Sequence, residues 1–423
     1  MIIKPKIKGF ICVNAHPNGC QKNIETQINS IKAKQPLDGP KKVLIIGCSS
    51  GYGLASRIAL AFGSQADTLG VYFDREPTER KTASSGWYNN QHLELLAQKQ
   101  GLIAESLNVD AFQPEAKEEV IALIQNTLKQ VDLVIYSVAS PRRYVANEDK
   151  LYSSVLKPIG KRFQGKSINT DKGEISTVEL MPASQAEIDD TVKVMGGEDW
   201  YQWLECLNHA DVLSENCKTI AYTYIGDELT KPIYGDATIG RAKEDLDKTA
   251  HDIDTLLNQG HTEKYAYIGV LKAIVTQSSA AIPVMPLYIS LLYKVMKEKE
   301  LHEGCIEQIF RMLSTGLYGD TCQLDEAGRL RVDEFELQAA VQQEVKRRWD
   351  LINNDNLLKL SDFEGYRKDF LQLFGFGFDD IDYQEDITHY VGGKDHTSLN
   401  QTLATPSEDK PSEVNNVVLS ETL

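Results

Sequence analysis

Runs of apolar residues alternate along much of the chain with longer segments in which apolar positions recur at helical spacing. The runs are rich in β-branched, aliphatic and aromatic residues and lie at 43–46, 68–73, 102–107, 131–139 and 219–224. A short apolar run without alternation is typical of a strand that is buried on both faces of a parallel sheet. Strands that alternate with helices through short connections predict an α/β fold with a doubly wound parallel sheet.

The pattern changes between residues 141 and 182, where a strand-like alternation at 175–180 and several basic residues predict inserted hairpins. A helix is expected to begin after this region at Ser184, because Ser184 and Glu187 form a capping-box pattern. The last helical patterns predict an addition to the C-terminal side of the sheet, with helices at 303–313, 333–348 and 363–374.

We therefore predict one large Rossmann-like domain over residues 1–390 and, because the remainder is polar with scattered prolines, a disordered tail over 391–423. The domain is expected to contain three additions to its sheet, namely an N-terminal extension over 1–40, the hairpin insertion over 141–182 and the helical addition over 301–385. The extension predicts one or two short strands, a turn at 16–20 and a helix from about residue 23 to 34.

A glycine-rich loop connects the first buried strand to the first helix that follows it. Its sequence is Gly47-Cys48-Ser49-Ser50-Gly51-Tyr52-Gly53. Glycines let the backbone approach a pyrophosphate closely, and the helix N-terminus presents free N–H groups with the positive end of its dipole. The Gly-x3-Gly-x-Gly spacing resembles the loop of short-chain dehydrogenases and reductases. We therefore expect residues 47–52 to bind the phosphates of a dinucleotide.

The second buried strand ends at Phe73 and is followed by Asp74. A carboxylate at this position can accept hydrogen bonds from the hydroxyls of the adenosine ribose, and its charge repels a 2′-phosphate. The sequence therefore predicts NADH as the cofactor in preference to NADPH. Arg75 weakens this preference, because an arginine here could pair with a 2′-phosphate. A solvated charge at the end of a strand is the alternative interpretation of Asp74.

Further candidate residues lie where later strands of the predicted sheet end. Asp110 and Ala111 follow the third strand, and Val138 and Ala139 end the fourth. In open α/β sheets the ligand binds beyond the carboxyl ends of the strands. These residues would therefore share one edge of the sheet with the glycine loop and Asp74, as a dinucleotide requires.

A tyrosine and a lysine after the strand at 219–224 are the candidate catalytic pair. Tyr234 precedes a strongly periodic helix, and Lys243 lies early in that helix. Nine residues of continuous helix, at about 100° per residue, would put the two side chains on opposite faces. Tyr234 is therefore expected in a loop before the helix, with Asp236 as the N-cap. From there both side chains could contact one ligand, where the charge of the lysine would favour the phenolate.

These features together resemble the FabV-type enoyl-acyl-carrier-protein reductases and the closely similar trans-2-enoyl-CoA reductases. The Tyr-x8-Lys pair that distinguishes this family matches Tyr234 and Lys243, and the family's cofactor loop matches residues 47–53. Other stretches are also similar to the family, namely Met195-Gly196-Gly197-Glu198-Asp199-Trp200, Pro283-Val284-Met285-Pro286-Leu287-Tyr288 and Phe374-Gly375-Phe376-Gly377-Phe378. The resemblance extends from residue 1 to about residue 385.

The resemblance implies a role for each matching residue. Tyr234 would be the proton donor, Lys243 would hold the ribose of the cofactor, and Tyr224 would be the second tyrosine of the active site, in contact with the substrate. Asp74 would be the acidic ribose ligand, at a position where many members carry glutamate. The stretch Ile274-Val275-Thr276 would line the nicotinamide end, with Thr276 able to bond the carboxamide. Phe73 would also be a cofactor-binding residue.

The activity implied by the resemblance is NADH-dependent reduction of trans-2-enoyl thioesters in fatty acid biosynthesis. The cofactor would deliver hydride to the β-carbon, and Tyr234, with Tyr224, would stabilise the negative charge that builds on the thioester oxygen. The acyl group could be carried by coenzyme A or by acyl carrier protein, and because both are anionic the chain's acidity does not choose between them. The resemblance also implies a monomer.

Composition excludes several other classes. A net charge of −16 over 423 residues argues against non-specific nucleic-acid binding. The seven cysteines are scattered and include no Cys-x2-Cys pair, which indicates free thiols in a reducing cytoplasm. The most apolar region, 267–295, contains lysines and prolines, so no membrane span is predicted. His16 and Cys20 have no further candidate ligands at a metal-binding spacing, so no metal site is predicted.

Two other functions stay open. A short-chain carbonyl reductase or alcohol dehydrogenase would share the glycine loop, but those families usually carry a serine at the position that Ala221 occupies here. A non-catalytic NAD-binding protein would share the loop and Asp74. The presence of both Tyr234 and Lys243 argues against that third interpretation.

Overall fold

The buried apolar runs form the strands of a central sheet in the computed structural model, which describes residues 1–258, 264–320 and 322–391. The tail predicted to be disordered lies, from residue 392 on, outside the described residues. The strands, numbered in chain order, are β1 (Ile7–Lys8), β2 (Ile11–Cys12), β3 (Lys42–Ile46), β4 (Asp67–Tyr72), β5 (Ala104–Asn108), β6 (Val131–Tyr136), β7 (Arg142–Val145), β8 (Lys150–Ser153), β9 (Phe163–Asn169), β10 (Glu174–Leu180), β11 (Leu213–Thr223), β12 (Ala266–Val270) and β13 (Leu330–Arg331).

Helices connect these strands, and further helices follow β12 in the C-terminal part of the chain. They are α1 (Pro17–Lys32), α2 (Gly51–Gly63), α3 (Ser85–Gln98), α4 (Pro114–Thr127), α5 (Gln185–Met195), α6 (Glu198–His209), α7 (Thr238–Leu257), α8 (Gln277–Ala280), α9 (Met285–Glu298), α10 (Cys305–Arg311), α11 (Ala339–Leu351), α12 (Leu357–Leu360) and α13 (Phe363–Gln372). Short turns of 3₁₀ helix at Ala146–Glu148 and Lys231–Ile233 and a π-helical segment at Met312–Leu317 are also present.

Within the described ranges, seven strands form one sheet in the order β13-β12-β11-β6-β3-β4-β5, and all of its pairings are parallel. The chain runs outward from β3 through β4 to β5 and then returns to place β6 on the other side of β3. The loops that follow β3 and β6 therefore diverge, and the crevice between them is where sheets of this kind bind ligands. The predicted doubly wound α/β fold is confirmed.

Strand β3 shows how the sheet is buried on both faces. Its last four residues, Val43 to Ile46, have no exposed surface. Successive side chains point to opposite faces of a strand. Val43 and Ile45 accordingly belong to the core cluster that includes residues of α1, α2 and α9, whereas Leu44 and Ile46 belong to the cluster that includes residues of α4, α6 and α7. Each such fully buried aliphatic side chain contributes about 1.5–3 kcal/mol to folding.

Two antiparallel hairpins, β7 with β8 and β9 with β10, lie where the sequence predicted inserted hairpins. The segment between them contacts the region of the candidate catalytic pair. Pro158 forms an antiparallel bridge with Ala237, and the Ile159 N–H donates to the Asp236 carbonyl at 3.2 Å. The insertion therefore supports the loop that carries Tyr234.

Helix α1 begins at Pro17, so the predicted turn at 16–20 and the predicted helix start near residue 23 were wrong. Proline suits the first helical position, because the N–H that it lacks would have no partner in the helix. His16 Nδ1 accepts a hydrogen bond from the Gly19 N–H at 3.2 Å and so caps the helix. Histidine is an unusual cap, which is why the sequence pattern did not indicate it.

The sequence pattern predicts a helix from about residue 90, but helix α3 begins earlier, at Ser85. Its first turn is buried, including Trp87 and Tyr88, which are 5% and 0% exposed. Two adjacent buried aromatic residues do not follow helical periodicity, so packing against the rest of the protein, not the local pattern, sets this helix start.

The helix predicted over 333–348 begins only at Ala339, so its predicted start was wrong. Asp333 and Glu336 instead turn their carboxylates inward, where the two residues are 1% and 0% exposed. Asp333 pairs with Arg331 at 2.7 Å, and Glu336 accepts hydrogen bonds from two tyrosines and a backbone N–H. These buried interactions hold an irregular backbone in a segment whose composition favours a helix.

Three histidines held neutral in the fold make stability depend on pH. Burial lowers the pKa of His16 and of His92 to about 4 and that of His302 to about 3. A histidine in the unfolded chain titrates near pH 6.5, so the unfolded state binds more protons as the pH falls from 6.5 towards 4. We expect these groups to lower the free energy of unfolding over that range, by up to about 1.4 kcal/mol per pH unit for each histidine.

Thermal unfolding measured between pH 7.5 and 4.5 tests this expectation. His16→Asn retains an acceptor for the helix cap but does not titrate, so its Tm should fall less steeply with acid than that of the unmodified protein. Identical slopes for the two proteins would show that His16 is not a source of the acid sensitivity.

Candidate active site

The glycine loop lies in the crevice between β3 and β6. Gly47 has φ 91°, and a Cβ there would lie 2.3 Å from the carbonyl oxygen of Ser137. A Cβ on Gly53 would lie 2.0 Å from the Gly47 carbonyl oxygen. Only glycine fits at either position, and the backbone stays open to a phosphate group. Helix α2 begins at Gly51, and the Ser50 side chain does not cap its first N–H groups, which leaves them available to an anion.

Two asparagines of α3 hold the loop in this shape. Asn89 Nδ2 donates to the Ser49 carbonyl at 3.0 Å, and Asn90 Nδ2 donates to the Cys48 carbonyl at 3.2 Å. Asn90 Oδ1 in turn accepts a hydrogen bond from the buried guanidinium of Arg57 at 2.7 Å. The sequence analysis missed these residues. The sequence signal that could have indicated them is the pair of asparagines directly after Trp87 and Tyr88, since no local motif accounts for two adjacent amides there.

Two predicted members of the loop direct their side chains into the core. Cys48 Sγ donates to the Val71 carbonyl at 3.4 Å, and burial raises the pKa of this thiol to about 11. The Tyr52 hydroxyl donates to the Lys272 carbonyl at 2.9 Å. At these two positions the backbone, and not the side chain, is what the loop offers to a phosphate.

Asp74 lies just beyond β4, next to the start of α3. Its Oδ1 accepts a hydrogen bond from Ser84 Oγ at 2.7 Å, whereas its Oδ2 is buried without a hydrogen-bond partner among the described residues. A Cβ on Gly86 would lie 2.1 Å from that Oδ2, so glycine is required there. Burial raises the pKa of Asp74, opposed first by the nearby Ser49 hydroxyl and then by the Ser84 hydrogen bond and the charge of Arg75. A buried carboxylate oxygen at this place fits a ribose hydroxyl.

The neighbours of Asp74 differ in their surroundings. Phe73 is 66% exposed, so its ring is available to an adenine. Arg75 Nη2 donates to the Val13 carbonyl at 3.0 Å and to the Thr82 carbonyl at 3.4 Å. Arg75 therefore has a structural role of its own, which reduces the weight of the argument for NADPH.

The residues predicted after β5 and β6 lie at the same edge of the sheet. Asp110 uses its carboxylate within its own loop, where it accepts two hydrogen bonds. The Ala111 carbonyl accepts a hydrogen bond from Lys117 Nζ at 3.0 Å. Val138 and Ala139 follow β6, one residue beyond the carbonyl that Gly47 approaches. This placement agrees with the predicted adenosine side of a dinucleotide site.

The stretch from Ile274 to Thr276 follows β12 and meets the start of α2. Thr276 Cγ2 lies 3.3 Å from the place that a Cβ of Gly51 would occupy. Thr276 Oγ1 accepts a hydrogen bond from the Ser279 N–H at 3.0 Å, which leaves its own proton for a ligand. The Val275 N–H donates to the hydroxyl of Tyr293 at 3.2 Å, so this segment is held from the core side.

Tyr234 lies in a loop before α7, as predicted. The predicted N-cap was wrong, because α7 begins at Thr238 and the capping residue is Ala237 instead of Asp236. The Thr238 N–H donates to the Lys157 carbonyl at 3.0 Å, so the hairpin insertion provides the acceptor that a capping side chain would otherwise supply.

The carboxyl end of β11 brings the predicted catalytic residues together. Lys243 Nζ donates to the Tyr222 carbonyl in β11 at 3.2 Å. Tyr224, the residue after β11, packs edge-to-face on Tyr234, with ring centroids 5.0 Å apart and planes at 87°. Burial lowers the pKa of Lys243 to about 8 and raises the pKa of Tyr234 above its usual value. Tyr234 therefore carries its proton at neutral pH.

The sequence analysis missed one acidic residue of this region. Glu336 Oε1 accepts a hydrogen bond from the Tyr224 hydroxyl at 2.9 Å and another from the Tyr288 hydroxyl at 2.7 Å. Burial raises the pKa of Glu336, opposed by the hydrogen bonds from Tyr288 and from the Ala273 N–H. No spacing motif pointed to Glu336, because its two tyrosine partners lie 112 and 48 residues before it.

A glycine loop with uncapped helix N–H groups, a buried acid after the second sheet strand of the chain and a tyrosine–lysine pair thus lie along one edge of a parallel sheet. Together they define the class of nicotinamide-dependent oxidoreductases. Family models divide the chain accordingly. The NAD(P)H binding domain of trans-2-enoyl-CoA reductase matches residues 2–79, the trans-2-enoyl-CoA reductase catalytic region matches residues 81–318, and an enoyl reductase FAD binding domain matches residues 324–387.

Curated relatives and solved structures agree with these matches. An enoyl-[acyl-carrier-protein] reductase [NADH] of Idiomarina loihiensis is 55% identical over 388 residues, which are 92% of this chain and 98% of the relative. The enzyme with the same description from Saccharophagus degradans is 56% identical over 390 residues, with the same coverage. The structure of a Clostridium acetobutulicum trans-2-enoyl-CoA reductase with NADH has a TM-score of 0.89 at 44% identity and covers 92% of this chain and 98% of that one.

The structure of a Treponema denticola trans-2-enoyl-CoA reductase with NAD gives a TM-score of 0.86 at 43% identity, again with 92% and 98% coverage. The chain belongs to the family of trans-2-enoyl-CoA reductases and FabV-type enoyl-acyl-carrier-protein reductases, and the resemblance stated from the sequence is confirmed.

The residues matched by the third model do not fit a flavin. Within 324–387, β13 is two residues long and no glycine loop connects it to the following helix, although dinucleotide phosphates usually bind at such a loop. The helices of this segment instead bury apolar side chains, such as Val341 and Phe370, in the main core.

Two further features concern the described residues only. They contain no group of three or more histidine, cysteine, aspartate or glutamate side chains that could hold a metal ion. No helix in this part of the chain is long and apolar enough to cross a membrane. All seven cysteines lie within it as free thiols.

Proposed function

We propose that this protein reduces the carbon–carbon double bond of trans-2-enoyl thioesters to give saturated acyl thioesters, with Tyr234 as the proton donor and Lys243 as the ribose-binding residue. The protein is an NADH-dependent enoyl-thioester reductase of fatty acid synthesis. The observation that supports the residue roles best is the convergence of Tyr234 and Lys243 on the carboxyl end of β11.

When NADH is bound, it supplies the hydride that adds to the β-carbon of the substrate. Negative charge then develops on the thioester oxygen, and a hydrogen bond from the Tyr234 hydroxyl stabilises it. Because burial keeps the pKa of Tyr234 high, the phenol is protonated and is a donor over the whole neutral range.

Lys243 binds the ribose of the cofactor. Its Nζ already donates to the Tyr222 carbonyl, which fixes the ammonium beside the strand end and leaves further donors for ribose hydroxyls. Its positive charge also favours the development of negative charge on the substrate. Thr276 and its neighbours close the nicotinamide side of the site.

Asp74→Ala is expected to weaken the preference of the protein for NADH over NADPH. The buried Oδ2 loses its role as acceptor for the adenosine ribose, and the charge that repels a 2′-phosphate is removed. The ratio of kcat/KM for NADH to that for NADPH should fall at least about tenfold, in keeping with the loss of a hydrogen bond to a charged group. Steady-state kinetics with both cofactors measure the ratio. Glu76→Ala, at a nearby exposed acid, is the control and should leave it unchanged.

The proposed function is tested by NADH oxidation with two substrates, crotonyl-CoA and crotonyl acyl carrier protein. Turnover with either thioester supports the reaction, and the comparison identifies the preferred carrier. Oxidation of NADH with a simple ketone, but with neither thioester, would instead favour the carbonyl reductase. Binding of NADH without turnover of any substrate would favour the non-catalytic protein.

We also propose that the protein acts as a monomer in the cytoplasm. The seven free cysteines and the family resemblance support this proposal. Light scattering of the purified protein should give a mass near 47.3 kDa, and a stable dimer mass would contradict the monomer.

A further inference from the structure

A buried carboxylate links three parts of the site. Glu336 lies between β13 and α11 and has no exposed surface. Its Oε1 accepts hydrogen bonds from the hydroxyls of Tyr224 at 2.9 Å and Tyr288 at 2.7 Å, and its Oε2 accepts one from the Ala273 N–H at 2.6 Å. The three donors come from the end of β11, from α9 and from the segment after β12.

Two of these three partners are connected to the residues proposed to act in the reaction. The Tyr224 ring is the surface on which the Tyr234 ring packs, at 5.0 Å between centroids. Ala273 directly precedes the stretch 274–276 that meets the start of α2. Glu336 therefore holds two parts of the site in a fixed relative position. One is Tyr224, on which the proposed proton donor Tyr234 packs, and the other is the segment 274–276 at the nicotinamide end.

The Tyr224 hydroxyl is engaged on two sides. It donates to Glu336 and lies 3.1 Å from Thr230 Oγ1. A phenol has one proton, and while Glu336 accepts it the hydroxyl end of the ring is held in one place. The ring on which Tyr234 packs therefore keeps a constant position, as the precise placement of a hydrogen-bond donor requires.

Burying a carboxylate at this position destabilises the fold unless the carboxylate makes compensating interactions. Removing an acid from water carries a large desolvation penalty, and apolar residues of similar volume would pack with less loss. Lys272 is a nearby charge of opposite sign, but its Nζ donates to the Ala273 carbonyl at 3.1 Å and no ion pair with Glu336 forms. The three converging donors are the feature that requires an acid here, because an uncharged residue cannot accept from all of them.

We propose that Glu336 is a positioning residue of the reductase, acting through Tyr224 on the orientation of Tyr234. The inference rests on the proposed function of Tyr234. Through Glu336, residues 324–387 would contribute to the reductase site. This role replaces the flavin binding that the family model describes for the segment.

A double-mutant cycle between Glu336→Gln and Tyr224→Phe tests the inference. Glutamine has the same shape but only one acceptor oxygen, which the Ala273 N–H needs, so its amide group faces Tyr224 and the Tyr224 proton is no longer held. We expect Glu336→Gln to lower kcat/KM for crotonyl-CoA about tenfold, with the Kd for NADH changing less than about twofold. In the Tyr224→Phe background the same change should alter kcat/KM less than about twofold, because the hydroxyl through which Glu336 acts is absent.

Asp254→Asn is the matched control for a purely structural effect. Asp254 Oδ1 accepts from the N–H groups of Tyr265 and Ala266, at 2.7 and 2.8 Å, at the amino end of the same strand β12. It should lower the Tm while leaving kcat/KM within about twofold, since that end of β12 is remote from the site. A loss of kcat/KM in Asp254→Asn as large as in Glu336→Gln, at a similar Tm, would overturn the positioning role.

Tyr288→Phe provides a second variant if Glu336→Gln does not fold. It removes one donor from Oε1 and leaves the carboxylate in place, so a smaller loss of kcat/KM is expected, again absent in the Tyr224→Phe background. Losses that multiply in either double variant contradict the inference. Absence of turnover in the unmodified protein would overturn the proposed function itself, whereas turnover with multiplicative losses would overturn only the role of Glu336.

Discussion

Tyr234→Phe is expected to lower kcat for crotonyl-CoA by at least about a hundredfold, with NADH binding almost unchanged. The substitution removes one hydroxyl and keeps the ring that packs on Tyr224, so the pocket retains its shape. The lost group is the donor that stabilises the charge on the thioester oxygen, and losing one such donor typically lowers kcat by about 10²–10³. Turnover kinetics and NADH fluorescence titration measure the two effects separately.

Tyr366→Phe is the matched control for this experiment. Tyr366 is buried on α13, and its hydroxyl has no hydrogen-bond partner among the described residues. Removing that hydroxyl should leave kcat unchanged. If Tyr234→Phe weakened NADH binding and turnover by the same factor, Tyr234 would be a cofactor-binding residue and its role as donor would be wrong.

Lys243→Met is expected to have the second large effect, a fall of at least about a hundredfold in kcat/KM for NADH. The substitution keeps most of the aliphatic stem but removes the charge and the hydrogen bonds to the ribose, which are worth about 1.5–3 kcal/mol for a charged donor before any effect on the transition state. Lys248→Met, at an exposed lysine of the same helix α7, should be nearly neutral. Steady-state kinetics with varied NADH measure both variants.

The same lysine predicts a pH dependence. Burial lowers the pKa of Lys243 to about 8, so its positive charge is present below that pH and is lost as the pH rises through it. The rate should therefore decrease above about pH 8 with the loss of one proton. In Lys243→Arg the charge persists, because a guanidinium does not titrate in this range, and the decrease near pH 8 should disappear. A decrease that remains in that variant would have to be assigned to another group.

The sequence predicted the sheet and the cofactor edge because both depend on local patterns. Fully buried strands are consecutive apolar residues, and the loop after β3 needs glycines at fixed positions for steric reasons that a Cβ at Gly47 or Gly53 makes evident. The position of Tyr234 before α7 also followed from local geometry, since nine helical residues would have separated it from Lys243. The roles of these site residues stay predictions until the variants are measured.

What the sequence did not predict depends on contacts between distant segments. The amides of Asn89 and Asn90 hold carbonyls of the glycine loop about forty residues earlier, and nothing in their own segment indicates it. The start of α11 was wrong for the same reason. Glu336 lies within the predicted helix, but its partners are two tyrosines and a backbone N–H that other elements bring in. Local propensity is overridden where the fold uses a polar side chain in its interior.

Isotope labelling of the cofactor tests most directly whether hydride from NADH reduces the carbon–carbon double bond of the substrate. Crotonyl-CoA and NADH deuterated at C4 of the nicotinamide would be incubated with the protein, once for each face of the ring, and the product examined by mass spectrometry and NMR. The account predicts butyryl-CoA with one deuterium at C3, from one of the two labelled cofactors, and an undeuterated C2 whose new hydrogen comes from the solvent through the protein. Deuterium at C1 of an alcohol product, or oxidised NADH without butyryl-CoA, would contradict it.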